Sequence, residues 1–198
     1  MTPTAPNSAT KPDPSCLNEV LQQKLLQMAT AETSARRHAI ALSAAGNRRA
    51  ALHMLQREHA SELKDIVAQY GWPTVSMVGE ECSAYCLQLL LVCENLTFQT
   101  RCRDLIQAAV AEQACPPAQY AFIADKVAVA WNLPQKFGTQ INPVTLRPYP
   151  IESRLGVDER RKNVGLAPLA EVLESFRALL RDGLTTEPGT GGRRATRG

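Results

Sequence analysis

The segment QKFGTQINPVTLRPYPIESRLGVDERRKNVG, from Gln135 to Gly165, gathers the side chains best suited to holding a polar ligand. Gln135, Thr139 and Gln140 offer uncharged donors and acceptors. Lys126, Arg154, Arg160 and Arg161 offer cations. A guanidinium matches carboxylate or phosphate through two parallel hydrogen bonds, so this set suits an anionic group. Asp158 and Glu159 are adjacent acids, and Asp158 is placed to cap a short helix DERRKN, with Arg161 falling one turn on and facing the loop. A solvated basic turn is the plainer reading of these arginines. Their company of Gln and Thr among apolar anchors weighs against it.

Groups that could move protons lie upstream. Glu32 continues the apolar series Leu21, Leu25, Met28, and Arg36 stands one turn later at the spacing of a pair. That couple is either a surface pair at the edge of the stripe or a polar pair aimed into a pocket. His59 sits in series with Leu55 and Leu63, a position more often taken by a satisfied core residue than by a catalyst. Cys93 ends an apolar run and is the third proton-transfer candidate. The six cysteines show no C-x-x-C pair, and free Cys packs as a small hydrophobe, so core packing is preferred to metal binding or disulfides. The chain has no phosphate-binding G-x-x-x-x-G-K-[ST], no G-x-G-x-x-G, no H-E-x-x-H and no G-x-S-x-G. No metal or cofactor is therefore assigned.

These residues need helices to position them. Leu17, Leu21, Leu25, Met28, Ala35 and Ala39 recur at helical spacing behind a cap at Ser15. A second helix is predicted from about Arg48 to Tyr70, ended by Gly71-Trp72-Pro73. EECSAYCLQLLLVCE, Glu80 to Glu94, is apolar nearly all round and reads as the buried centre of a bundle. Helices follow over about Phe98 to Ala114 and Pro117 to Trp131, and a last one carries Leu169, Val172, Leu173, Phe176 and Leu180. The expected fold is a mainly α, single-domain bundle of about six helices, with the stretch from Gln135 to Arg161 as its one long ordered loop or a small β-hairpin inside 135–151. Residues 1–15 read as a disordered lead and 184–198 as a disordered basic tail around a domain at 16–183.

With 198 residues, 44% hydrophobic and 21% charged, one globular domain is expected. The net charge of +3 is carried by three arginines in the C-terminal GTGGRRATRG, which leaves the rest formally neutral and makes nucleic acid an unlikely partner. The chain shows no run of about 18 apolar residues and no basic-then-apolar start, so neither a membrane span nor a signal peptide is expected, and a cytoplasmic location is. Oligomeric state is left open.

AQYGWPTVSMVG, ADKVAVAWNLPQKFGTQ and PIESRLGVDERRKNVGLAPLAEVLESF, in that order, resemble the bacterial domain-of-unknown-function family 6624. The blocks that carry the resemblance are Gly71-Trp72-Pro73, Gln135 to Gln140, and Asp158, Arg160, Arg161, Gly165 and Leu166. It covers most of residues 17–182, and Glu32 and Arg36 resemble the family's acidic residue and arginine in the first helix. The resemblance implies a fold group and no activity. The family's Gln-His pair late in the buried helix is replaced here by the stretch Leu91-Val92-Cys93-Glu94.

Two functional readings follow. One is a cofactor-independent enzyme acting on a carboxylate- or phosphate-bearing small molecule or peptide, with Arg154, Arg160 or Arg161 binding the anion and Gln135 and Gln140 orienting a carbonyl. Glu32, His59 or Cys93 would then move protons. The other is a non-catalytic accessory or interaction module that uses the Gln135–Arg161 loop. In the first reading Gln140 should reach Glu32, Arg36 or His59.

Overall fold

The computed structural model describes residues 17–41 and 46–185, with side chains described over 17–37 and 50–179. Among these residues are seven helices: α1 (Glu19–Ala41), α2 (Gly46–Tyr70), α3 (Val75–Val92), α4 (Leu96–Ala111), α5 (Pro117–Ala130), α6 (Val157–Asn163) and α7 (Leu169–Thr185). The architecture is mainly α and single-domain, and no strand forms among the described residues. The expected lead at 1–15 and the cap at Ser15 lie outside them, as does the expected tail at 184–198 except for Leu184 and Thr185, which end α7.

Helix α3 forms the centre. Thr74 caps its start, and nine of its residues are buried, including Cys82, Cys86, Leu89 and Leu90. It packs on α1, α2 and α5, and α4 packs on α5. By length and composition alone α3 is apolar enough to cross a membrane, a test that the core helix of a bundle also passes, and half of it is buried inside the fold. Leu25, Leu63, Leu89, Leu90, Ile106 and Ile123 are fully buried in the same core. Each such side chain contributes about 1.5–3 kcal/mol by leaving water.

The helix begins at Val75, five residues before the apolar run, and Gly79 kinks it between that first turn and the buried part. Gly79 has φ 81°, and a Cβ there would stand 3.0 Å from Gln22 Nε2. The preceding turn, Val75–Val78, is thereby turned toward the start of α1, where the Asn18 amide donates to the Met77 carbonyl at 2.8 Å. Asn18 also caps α1, its Oδ1 accepting from the Leu21 amide at 3.0 Å.

Helix α7 departs from expectation. Its stripe does not enter the core: it packs on α6, and Phe176 and Leu179 are 45% and 70% exposed. The hairpin is reduced to two isolated bridges, Gln135 with Ile151 and Ile141 with Pro148. The turn between them is held by the Asn142 side chain, which accepts from the Val144 and Thr145 amides.

Candidate functional site

Where α1, α2 and α3 meet, five side chains form one hydrogen-bonded chain. Glu32 and Arg36 are a helical turn apart on α1, and Arg36 Nη2 donates to Glu32 Oε1 at 2.8 Å. From α2, Gln56 Nε2 donates to the same oxygen at 2.9 Å. From α3, the Tyr85 hydroxyl donates to Glu32 Oε2 at 3.2 Å and lies 2.8 Å from His59 Nδ1. Glu32, His59 and Tyr85 are all buried.

The electrostatics fix the protonation states. Burial alone would raise the Glu32 pKa, but hydrogen bonds from Gln56, Arg36 and Tyr85 and the Arg36 charge outweigh it and hold it below the ordinary value. Burial, then the Glu32 charge and hydrogen bond, push the Tyr85 phenol well up, so it stays a donor. Burial lowers the His59 pKa against the pull of Glu32, Glu58 and Glu62, so the ring is neutral at pH 7. With the phenol hydrogen directed at Glu32, Nδ1–H of His59 donates to the Tyr85 oxygen. The basic lone pair is then on Nε2.

Two clefts flank this chain. One of about 350 Å³ lies between α1 and α3 and is lined by Glu32, Arg36, Thr33, Glu81, Tyr85 and Gln88. The other, about 730 Å³, lies between α2 and the α3–α4 turn and is lined by His53, Gln56, Arg57, Lys64, Cys93 and Glu94. Gln56 joins the two, lining the larger while bonding to Glu32. Of the three proton-transfer candidates, Glu32 and His59 are brought together through Tyr85, and Cys93 stands in the wall of the other cleft.

The Gln135–Arg161 loop is organised differently. Asp125 on α5 is fully buried, and its two oxygens accept from the amides of Lys136 (2.8 Å), Phe137 (3.1 and 3.2 Å) and Thr139 (2.9 Å) and from Thr139 Oγ1 (3.0 Å). Gln135, also fully buried, donates from Nε2 to the carbonyls of Gln140 and Tyr149 and accepts the Gln140 amide on Oε1. Arg161 donates to the carbonyls of Phe137 and Ala167, and Arg160 to those of Lys136, Leu155 and Ser153. The polar groups of this loop are thus bonded mainly to backbone.

Two expectations are corrected here. Gln140 Nε2 donates to Thr139 Oγ1 and reaches none of Glu32, Arg36 or His59, because the loop folds upon α5 and α6. Asp158 does not cap α6, whose N-cap position is Gly156 and carries no side-chain cap; its Oδ1 accepts the Leu169 amide and so caps α7. The side chains of Lys126 and Arg154 make no hydrogen bond or ion pair among the described residues. Cys82, Cys86, Cys93, Cys102 and Cys115 are all buried free thiols, and burial pushes Cys102 up to about 12.

The family model for a family of unknown function, DUF6624, matches residues 19–185, which takes in all seven helices. The chain belongs to DUF6624. Neither a curated protein nor a solved structure matches it. The DUF6624 blocks read from sequence divide sharply by partner. In Gly71-Trp72-Pro73, Trp72 Nε1 donates to Gln119 Oε1 at 3.2 Å, and Gln119 Nε2 donates to Ser83 Oγ at 3.0 Å. Gln135 to Gln140 close on Asp125, and Arg161 closes on Phe137.

Sequence reasoning missed Tyr85, Gln56 and Asp125. A signal existed for two of them. Tyr85 is a hydroxyl inside an apolar helix, and Asp125 is a charge between Ile123 and Val127. Each needs a partner once buried. Gln56 carried no such signal, since glutamine is ordinary on a helix surface.

Proposed function

We propose that this protein binds a small molecule bearing an anionic group in the cleft between α1 and α3 and acts on it by acid–base chemistry of its own side chains. The reading rests on one observation: a buried, ionised carboxylate, Glu32, and the Tyr85 hydroxyl it is bonded to stand on the wall of that cleft, and Tyr85 links them to a neutral imidazole, His59, set back from the lining. Arg36 is 55% exposed and engages Glu32 through Nη2, which leaves donors for a ligand anion.

In this mechanism His59 takes a proton at Nε2. The resulting imidazolium is stabilised through Nδ1–H to the Tyr85 oxygen and from Tyr85 to the Glu32 carboxylate, which stays ionised throughout. Glu32 is a positioning group for His59 in the same sense as the buried acid of a catalytic triad. Tyr85 cannot act as base, because its pKa is raised. The Gln135–Arg161 loop serves as a brace for the α5 end of the bundle in this reading, and the anion is held by Arg36.

A second reading, a non-catalytic interaction module, draws support from exposed apolar residues in and beside the loop: Trp131 at 61%, Leu133 at 58%, Val144 at 87% and Leu155 at 88%. Native mass spectrometry of the purified protein separates the two. A retained small molecule that is lost in Tyr85→Phe and Glu32→Gln, both folded, is the expected result. Retention unchanged in both variants would remove the cluster from function. Co-purification of a protein that Leu155→Asp abolishes and Tyr85→Phe leaves intact would favour the second reading.

A further inference from the structure

We infer that the α1–α3 cleft takes a small zwitterion, a molecule carrying both a carboxylate and an ammonium group, such as a free amino acid. This rests on the proposed function and names its ligand class. The charges around the cleft carry the argument. Glu32 is already compensated by Arg36, Gln56 and Tyr85. The remaining acid on the wall is Glu81, on α3, which is exposed and forms no ion pair among the described residues. The cleft thus presents two unlike poles: the unused donors of the Arg36 fork on α1 and the Glu81 carboxylate on α3.

A plain anion drawn to Arg36 would meet Glu81 as a like charge in the same cleft. A plain cation drawn to Glu81 would leave the unused donors of the Arg36 fork unmet. Opposite charges within hydrogen-bonding reach attract and like charges repel, so only a ligand of mixed sign satisfies both walls. Gln88 and Thr33 add uncharged donors and acceptors between the poles, and Ala29 and Ala84 leave the floor small. A cleft of about 350 Å³ lies at the small end of ligand sites and suits a molecule of a few heavy atoms beyond the two charged groups.

The test is calorimetric titration of the full chain with the common α-amino acids, with β-alanine and with 4-aminobutanoate, the last two widening the spacing of the charges. Each binder is then compared with its N-acetyl derivative and its methyl ester, which delete one charge at a time. The expected result is binding of at least one zwitterion, weakened about tenfold or more by removing either charge. Glu81→Gln should abolish the penalty for N-acetylation, and Arg36→Lys should reduce the penalty for esterification. If the N-acetyl derivatives bind as well as the parent compounds and Glu81→Gln changes nothing, the zwitterion is overturned, while the anion-binding reading survives on its Arg36 dependence. If no zwitterion binds at millimolar concentration, the inference is likewise overturned, and the fate of the broader reading is decided by the retained-ligand measurement.

Discussion

Two polar regions sit in this bundle, and they are bonded in opposite ways. In the Gln135–Arg161 loop, buried side chains bond chiefly to main-chain groups: Asp125 to three amides, Gln135 to two carbonyls and an amide, Arg161 to two carbonyls. At the α1–α3 junction, Glu32, Gln56, Tyr85 and His59 bond to one another. A side chain committed to backbone fixes the path of the chain and has little left for a ligand. Side chains committed to each other beside a cleft keep tunable protonation. The stretch that looks richest in chemistry thus works as a clasp, and the less conspicuous helices hold the candidate chemistry.

Breaking the clasp should give the largest effect. Asp125→Ala would strand the buried amide of Phe137 and the partly buried amides of Lys136 and Thr139. Each unpaired group costs about 1–3 kcal/mol, so a loss of more than about 3 kcal/mol is expected. A shift of the urea midpoint at constant slope would measure it. Ligand retention should fall only in step with unfolding. Retention lost in a fully folded Asp125→Ala protein would place the loop in the site and undo the contrast.

Much of the fold was legible, because Leu21, Leu25, Leu63, Leu89 and Ile106 repeat at helical spacing and burial follows spacing. The α7 stripe shows the limit. Leu169, Val172, Leu173 and Phe176 have the same spacing as core residues, yet α7 meets only the short α6 as a substantial helical contact, so periodicity gave the helix and misplaced its burial. The site was half legible. Glu32 and His59 stand on apolar stripes and were found that way, but their link is Tyr85, 53 positions from Glu32 in the chain. Spacing along one helix says nothing about such a partner. The loop residues stand out by type and spacing, but their backbone partners do not, because a glutamine that pairs with backbone has the same sequence signature as one that pairs with substrate.

A middle-sized effect separates the regions by pH. The His59 pKa is depressed in the folded state, so the unfolded chain binds the extra proton and its contribution to stability is present above the ordinary 6.5 and lost as pH falls through the depressed value. Glu32 is also depressed, so its contribution holds above 4.5 and is lost at more acid pH. Thermal melts should therefore show the wild type weakening in two steps on acidification. His59→Asn should remove the upper step and Glu32→Gln the lower. The loop from Gln135 to Gly165 contains no histidine. An upper step that persists in His59→Asn would mean that another group titrates there.

The smallest effect compares two glutamines of one motif. Gln135 is fully buried, and its amide makes three hydrogen bonds, so Gln135→Leu should cost about 1–3 kcal/mol through the Tyr149 carbonyl and the Gln140 amide it leaves unpaired. Gln140 is half-buried and contributes mainly through its main chain, whose amide meets Gln135 Oε1 and whose carbonyl accepts from Gln135 Nε2 and from the Tyr149 amide. Its side chain makes a bond to Thr139 Oγ1, itself already donating to Asp125. Gln140→Leu leaves every main-chain bond possible and should cost less than about 1 kcal/mol. Paired urea titrations of the two variants measure the difference directly. Ligand retention should be unaffected in Gln140→Leu, since its side chain lies on the α5–α6 side of the loop and not against Glu32. A Gln140→Leu protein as stable as wild type but stripped of its ligand would return this glutamine to the binding site and make the clasp part of the pocket after all.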